Sequence, residues 1–266
     1  MKKNDEFFVP YIEGSLGSKT KSIIKKFALG SLIVIFAGGL IFSLSQQKFK
    51  NSTFELSDET KVIGTYYENP YPVLRVEIAE NVFKNILLLG FGKSSANPYL
   101  KKIREQATEL NGKKLSIEGN LIYYNGKTLM QITSDEKISL LGDTDSKTPE
   151  KTLVTKTTLS GEIVDPKCYF GVMKPGKGKI HRSCAVLCIS GGIPPVLAST
   201  DADYTEAQYF LVTDEDGNPV NAEILPFVGK PSKLTGTIEK MDDWYFIKID
   251  TKNINVQSGK SSIYSD

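Results

Sequence analysis

A pattern of strands and glycines occurs twice in this chain, and it narrows the fold more than any other feature. Lys61-Val62-Ile63-Gly64-Thr65 opens one copy and Thr158-Leu159-Ser160-Gly161-Glu162 opens the other. Further on, Gly112-Lys113 leads to Ile117-Glu118-Gly119-Asn120-Leu121, and Gly229-Lys230 leads to Leu234-Thr235-Gly236-Thr237-Ile238. The step from the second glycine to the third is seven residues in both. Internal repetition constrains architecture ahead of any single element, since each copy has to find the same solution.

In the first copy, Val62 to Tyr67, Val73 to Ile78 and Ile86 to Phe91 are rich in β-branched and large apolar residues and read as strands. Asn97-Pro98 suits a helix start, Leu100, Ile103, Ala107 and Leu110 follow at helical spacing, and Gly112 suits the stop. Leu115 to Tyr124 and Thr128 to Thr133 flank Asn125-Gly126, a strong hairpin turn. Three strands, a helix and a hairpin is the order of an OB-type barrel. The second copy fits with strands near Leu159 to Val164, Val196 to Ser199, Tyr209 to Thr213, Lys233 to Glu239 and Trp244 to Ile249. The fold class expected is therefore mostly β, two tandem OB-like β-barrels over residues 54–141 and 157–256, joined by a polar linker at 142–156 and followed by a tail at 257–266.

The copies differ in one place. Gly64 and Gly112 are 48 residues apart, whereas Gly161 and Gly229 are 68 apart, and the excess fits between the first two strands, Asp165 to Pro195. That insert contains all three cysteines of the chain and its only histidine: Cys168, His181, Cys184 and Cys188. On a helix from His181 to Ile189, residues 181, 184 and 188 fall at about 0°, 300° and 340°, one face about 60° wide. Gly191-Gly192 and Pro194-Pro195 would end that helix, and Cys168 would close onto its face from the preceding turn. Three thiols and an imidazole are donors for tetrahedral zinc or for copper(I), so Cys168, His181, Cys184 and Cys188 are the candidate metal ligands. A disulfide from Cys168 to Cys184 or Cys188 is a second reading, against which the odd cysteine count weighs; burial of small side chains with no joint role is a third. The ligand order is not that of a zinc finger, and neither a C-x-x-C-H haem motif nor a second histidine for a Rieske cluster is present.

Phe27 to Leu44 is 18 residues without a charge, and Ser45, Gln46 and Gln47 extend it slightly, which is enough for a membrane span. A removable leader would be shorter and end in a small-residue cleavage site, and with residues 1–26 ahead of it the segment reads as a retained signal anchor over 27–47. Lys19, Lys21, Lys25 and Lys26 before it, against Lys48, Lys50 and Lys61 after it, put residues 1–26 in the cytoplasm and the barrels in the periplasm of a bacterial inner-membrane protein with a single span. The near balance of 33 Lys and Arg with 31 Asp and Glu gives no nucleic-acid footprint. Tyr66, Tyr67, Tyr71, Tyr123 and Tyr124 can be a stacking platform for single strands, but packing in and across strands is the plainer reading. The lone histidine leaves little for hydrolytic chemistry, and the chain reads as non-catalytic.

Residues 157–256, about 100 of the 266, resemble a group of small exported bacterial OB-like proteins. The resemblance rests on Gly161, Asp165, Cys168, His181, Cys184, Cys188, Gly191, Gly229, Lys230 and Gly236. It implies an exported location and a common role for the cysteines, and no particular activity. The expectation is a membrane-anchored accessory protein with protein partners in a membrane or envelope complex, carrying a zinc or copper site. The alternative is a copper-handling or thiol-redox protein that works through Cys184, Cys188 and His181.

Overall fold

The computed structural model describes residues 18–45, 52–107, 109–144, 148–200 and 209–257. Most of the expected cytoplasmic stretch, part of the expected linker and all but one residue of the expected tail lie outside the described residues. Two compact units are formed, one containing the N-terminal helix and the other both barrels.

Helix α1 (Ser18–Ser45) is 28 residues with no buried side chain and is long and apolar enough to cross a membrane. At 1.5 Å per residue it extends to about 42 Å, more than the roughly 30 Å of a hydrocarbon core. The excess is at its start, where the four lysines occupy its first turns.

The second unit opens with β1 (Ser52–Phe54), β2 (Thr60–Tyr67), β3 (Val73–Ala79) and β4 (Val82–Gly90). After α2 (Asn97–Arg104) come β5 (Lys114–Tyr124), β6 (Lys127–Ile132) and β7 (Ile138–Gly142). β2, β3, β4, β6 and β5 pair in that order, β5 returns to β2, and β4 and β6 run parallel, so the five strands close into a barrel. The second barrel repeats this with β8 (Thr152–Val164), β9 (Val196–Ser199), β10 (Tyr209–Asp214), β11 (Pro231–Met241) and β12 (Trp244–Ile249), where β10 and β12 are the parallel pair. A short β13 (Asn255–Val256) lies along β11. The long insert occupies the β8–β9 connection, where the sequence spacing put it.

The repeated glycines mark where strands approach too closely for a side chain. A Cβ on Gly161 would stand 2.4 Å from the Ala198 carbonyl, and one on Gly236 2.2 Å from that of Lys248. Gly64 and Gly119 hold the equivalent places in the first barrel, at 2.6 and 2.5 Å from carbonyls of the neighbouring strands. Closing five strands into a barrel requires strongly coiled strands, and a missing Cβ permits that coil.

Three differences from the sequence reading have local causes. The helix expected to reach Gly112 ends at Arg104: the amides of Glu105 and Gln106 close its last turn onto Lys101 and Ile103, and Leu110 enters the core from the following loop instead. Asn97 is not the N-cap residue; Ala96 holds that position with no side-chain hydrogen bond, while the Asn97 side-chain oxygen accepts from Arg104 at 3.1 Å. β8 starts at Thr152, inside the stretch read as linker, because residues 152–156 pair with β11 across a bulge.

Each barrel has its own interior, the first built around Tyr66, Leu74, Leu88, Leu115 and Ile117, the second around Leu159, Phe210, Leu234, Ile238 and Ile247. A third cluster joins them. Tyr67, Val73, Leu87, Leu89 and Leu129 of the first barrel pack with Val164, Val196, Leu211, Trp244 and Phe246 of the second. Alternate residues of a strand face opposite sides, so a strand that lines a barrel and also faces another barrel is apolar at every position. This explains the unbroken runs Ile86–Leu89 and Tyr209–Val212, all buried. Of the tyrosines considered as a platform, Tyr66, Tyr67 and Tyr71 are buried in these cores, leaving Tyr123 and Tyr124 nearer the surface.

Tyr71 also crosses the junction with a polar bond. Its hydroxyl donates to the Val212 carbonyl at 2.7 Å and accepts from the Val220 amide at 3.4 Å. A Tyr71→Phe variant leaves both groups buried without that partner and is expected to lose about 1–3 kcal/mol of stability. Urea unfolding followed by circular dichroism measures it, and an unchanged midpoint would refute the assignment.

Candidate metal centre

Where β8 ends, Asp165-Pro166-Lys167 turns the chain into a single π-helical turn, Cys168–Val172. Asp165 is fully buried, and its Oδ1 accepts the Cys168 amide at 2.9 Å. Phe170, also fully buried, pins the turn by lying 5.5 Å from the Tyr124 ring, stacked, and 4.8 Å from the Tyr209 ring, edge-on. The loop that follows folds back, with Lys174 Nζ donating to the Tyr169 carbonyl at 2.7 Å.

The expected helix is present as α3 (Arg182–Ser190). Ala185 and Ile189 pack into the second barrel's interior, while Cys188, with Cys184 beside it, belongs to the cluster between the barrels. Asn221 Nδ2 donates to the carbonyls of Ile189 and Ile193 at 2.9 and 2.8 Å, tying the last turn of the helix to the segment after it. His181 is not on the helix but at its N-cap, and its side chain caps nothing. It turns instead to Asp165, with Nε2 3.4 Å from Oδ2.

Two overlapping groups result. The sulfurs of Cys168, Cys184 and Cys188 lie within 4.8 Å of one another, and so do ligand atoms of Asp165, Cys168 and His181. Either group can hold a metal ion, and Cys168 belongs to both. All three cysteines are free thiols. Thus the structure gathers the three thiols directly, and sets His181 beside Cys168 together with a carboxylate. Asp165 is the member that the sequence reading left out of the ligand set. Its signal was an Asp-Pro step three residues before Cys168, the spacing at which a carboxylate receives a following backbone amide.

The surroundings suit bound negative charge. Lys167 is 4% exposed and donates through Nζ to the carbonyls of Gly90 and Gly92, both at 2.8 Å, in the loop after β4 of the first barrel. Burial lowers its pKa to about 8, against the opposing pull of Cys188, Cys168 and Asp165. Among the thiols, Cys168 is shifted upward, first by its hydrogen bond to Cys188 and then by burial, and Cys184 upward by burial. Cys188 is shifted downward, because the Cys168 thiol donates to it. A thiolate is the metal-binding form of cysteine, and Cys188 is where it is most readily formed. The Ser95 amide also donates to the Gly191 carbonyl at 2.9 Å, so the site is tied to the first barrel at both ends of the insert.

Compared with known proteins, the chain matches no family model, no curated protein and no solved structure.

Proposed function

We propose that this chain is a membrane-anchored, periplasm-facing accessory protein of a membrane or envelope complex, in which the second barrel holds a zinc or copper ion on Cys168, Cys184 and Cys188. The observation that carries this reading is the convergence of three free thiols from two separate elements, a π-helical turn and α3, on one small volume. Thiolates select zinc and copper(I) over the hard cations. Asp165 and His181 form the adjoining wall, and Asp165 orients the Cys168 turn through its backbone bond. We read the role as non-catalytic, since Cys188 is 1% exposed and the single imidazole faces a buried carboxylate. The ion pins the insert against both barrels and so sets the shape of the surface that partners meet. α1 supports the membrane location, and the lysines at its start support barrels outside the cytoplasm.

The test is the metal content of the full chain purified from membranes in detergent without chelator. About one equivalent of zinc or copper per chain is expected, lost in Cys188→Ser. Equal metal content in the two proteins would refute the site. The location is checked by fusing alkaline phosphatase after residue 257, since that enzyme needs disulfides and is active only outside the cytoplasm; an inactive fusion would refute the orientation.

A further inference from the structure

We propose that the ion is copper(I), held in three-coordinate fashion by Cys168, Cys184 and Cys188, and that it is exchanged with an incoming soft donor through Cys184. This rests on the thiols being a metal site and narrows what the site takes and how it releases it.

Donor number comes first. A structural zinc site is closed by four ligands, whereas copper(I) is satisfied by a few soft thiolates. Here three sulfurs form a group of their own, and His181 is grouped with Asp165 and Cys168 rather than with all three thiols. Its Nε2 faces the Asp165 carboxylate at 3.4 Å. The site is thus rich in sulfur and closed to one side by a hydrogen-bonded pair.

Access supplies the second argument. Cys168 and Cys188 are 8% and 1% exposed, while Cys184 is only half-buried, with Ser183 and Leu187 exposed on either side of it. An incoming thiolate or thioether can therefore reach the ion on the Cys184 side alone. As its bond to copper forms, the Cys184 bond breaks and that sulfur takes a proton from solvent. Copper remains copper(I) throughout and no electron is transferred.

The experiment uses the full chain in detergent, kept anaerobic and loaded with copper(I) alone or zinc(II) alone. X-ray absorption at the copper edge should show three sulfur neighbours and no nitrogen, and copper should displace bound zinc. Withdrawal of copper by bicinchoninate should accelerate as the chelator concentration rises, as exchange at an open ligand requires. Sulfur ligation with one nitrogen, or retention of zinc against copper, would overturn the copper(I) assignment while leaving the thiol site in place. A withdrawal rate independent of chelator would overturn exchange through Cys184. Failure to retain either ion would overturn the metal site itself.

Discussion

Trp244→Ala is expected to cost about 3–5 kcal/mol of stability, the range for removing a large aromatic from a packed core. Trp244 opens β12, is fully buried, and lies in the cluster that joins the barrels rather than in either interior. Its Nε1 donates to the Asn85 carbonyl of the first barrel at 3.0 Å, so truncation also leaves that carbonyl without its donor. Lys127 Nζ lies 4.9 Å above the ring, and Phe170 is 6.4 Å away. Phe170 fixes the turn that carries Cys168, so the same variant should weaken metal retention as well as stability. Urea unfolding of the full chain in detergent measures the first effect, followed by circular dichroism because Trp244 is the only tryptophan. Trp244→Phe keeps an aromatic ring but loses the bond and part of the indole volume, for an intermediate cost of about 1–3 kcal/mol. A loss below about 1 kcal/mol for the alanine variant would mean that the barrels are not held together here.

How far the sequence carried the fold follows from the range of the interactions involved. Closure of each barrel was legible because it imposes local requirements that leave a mark: glycine where a Cβ meets a neighbouring carbonyl, Asn125-Gly126 at a tight turn with positive φ at both residues. The insert was legible because a second copy was present to compare it with. The contact between barrels was not legible. A doubly buried strand such as Ile86–Leu89 has the same apolar run as one buried in a single core, so periodicity cannot say what covers its second face. In the site, the thiols were found from residue type alone, since soft donors are rare elsewhere in the chain. Asp165 and Lys167 were not, because carboxylates and lysines are common; burial and the bonds to Cys168 and His181 distinguish Asp165, and partners from a distant part of the sequence distinguish Lys167. Lys167 reaches carbonyls 77 and 75 residues away.

The polar half of the junction leads to the second large effect. The β11–β12 turn presents Asp242, at φ +49, to Arg75 on β3. Arg75 Nε and Nη2 donate to the two carboxylate oxygens at 2.8 and 3.0 Å, a bidentate pair with its arginine 6% exposed. The guanidinium also lies 3.5 Å from the centre of the Phe83 ring, and Asn85 Nδ2 donates to the same carboxylate at 2.9 Å. Asp242→Asn tolerates the same backbone conformation but leaves the guanidinium charge uncompensated, at a cost of about 3 kcal/mol. The pair also has a pH signature. Burial alone would push the Asp242 carboxyl up, but hydrogen bonds from Arg75 and Asn85 outweigh it and hold the group below its ordinary value. A carboxyl depressed in the folded state binds fewer protons there than in the unfolded chain, so its contribution is complete above about pH 4 and is lost as pH falls through the folded value. Wild type and Asp242→Asn should therefore differ by a constant amount near neutrality and converge in acid. A difference that stays constant down to about pH 2 would show that the turn is held by shape and not by this charge pair.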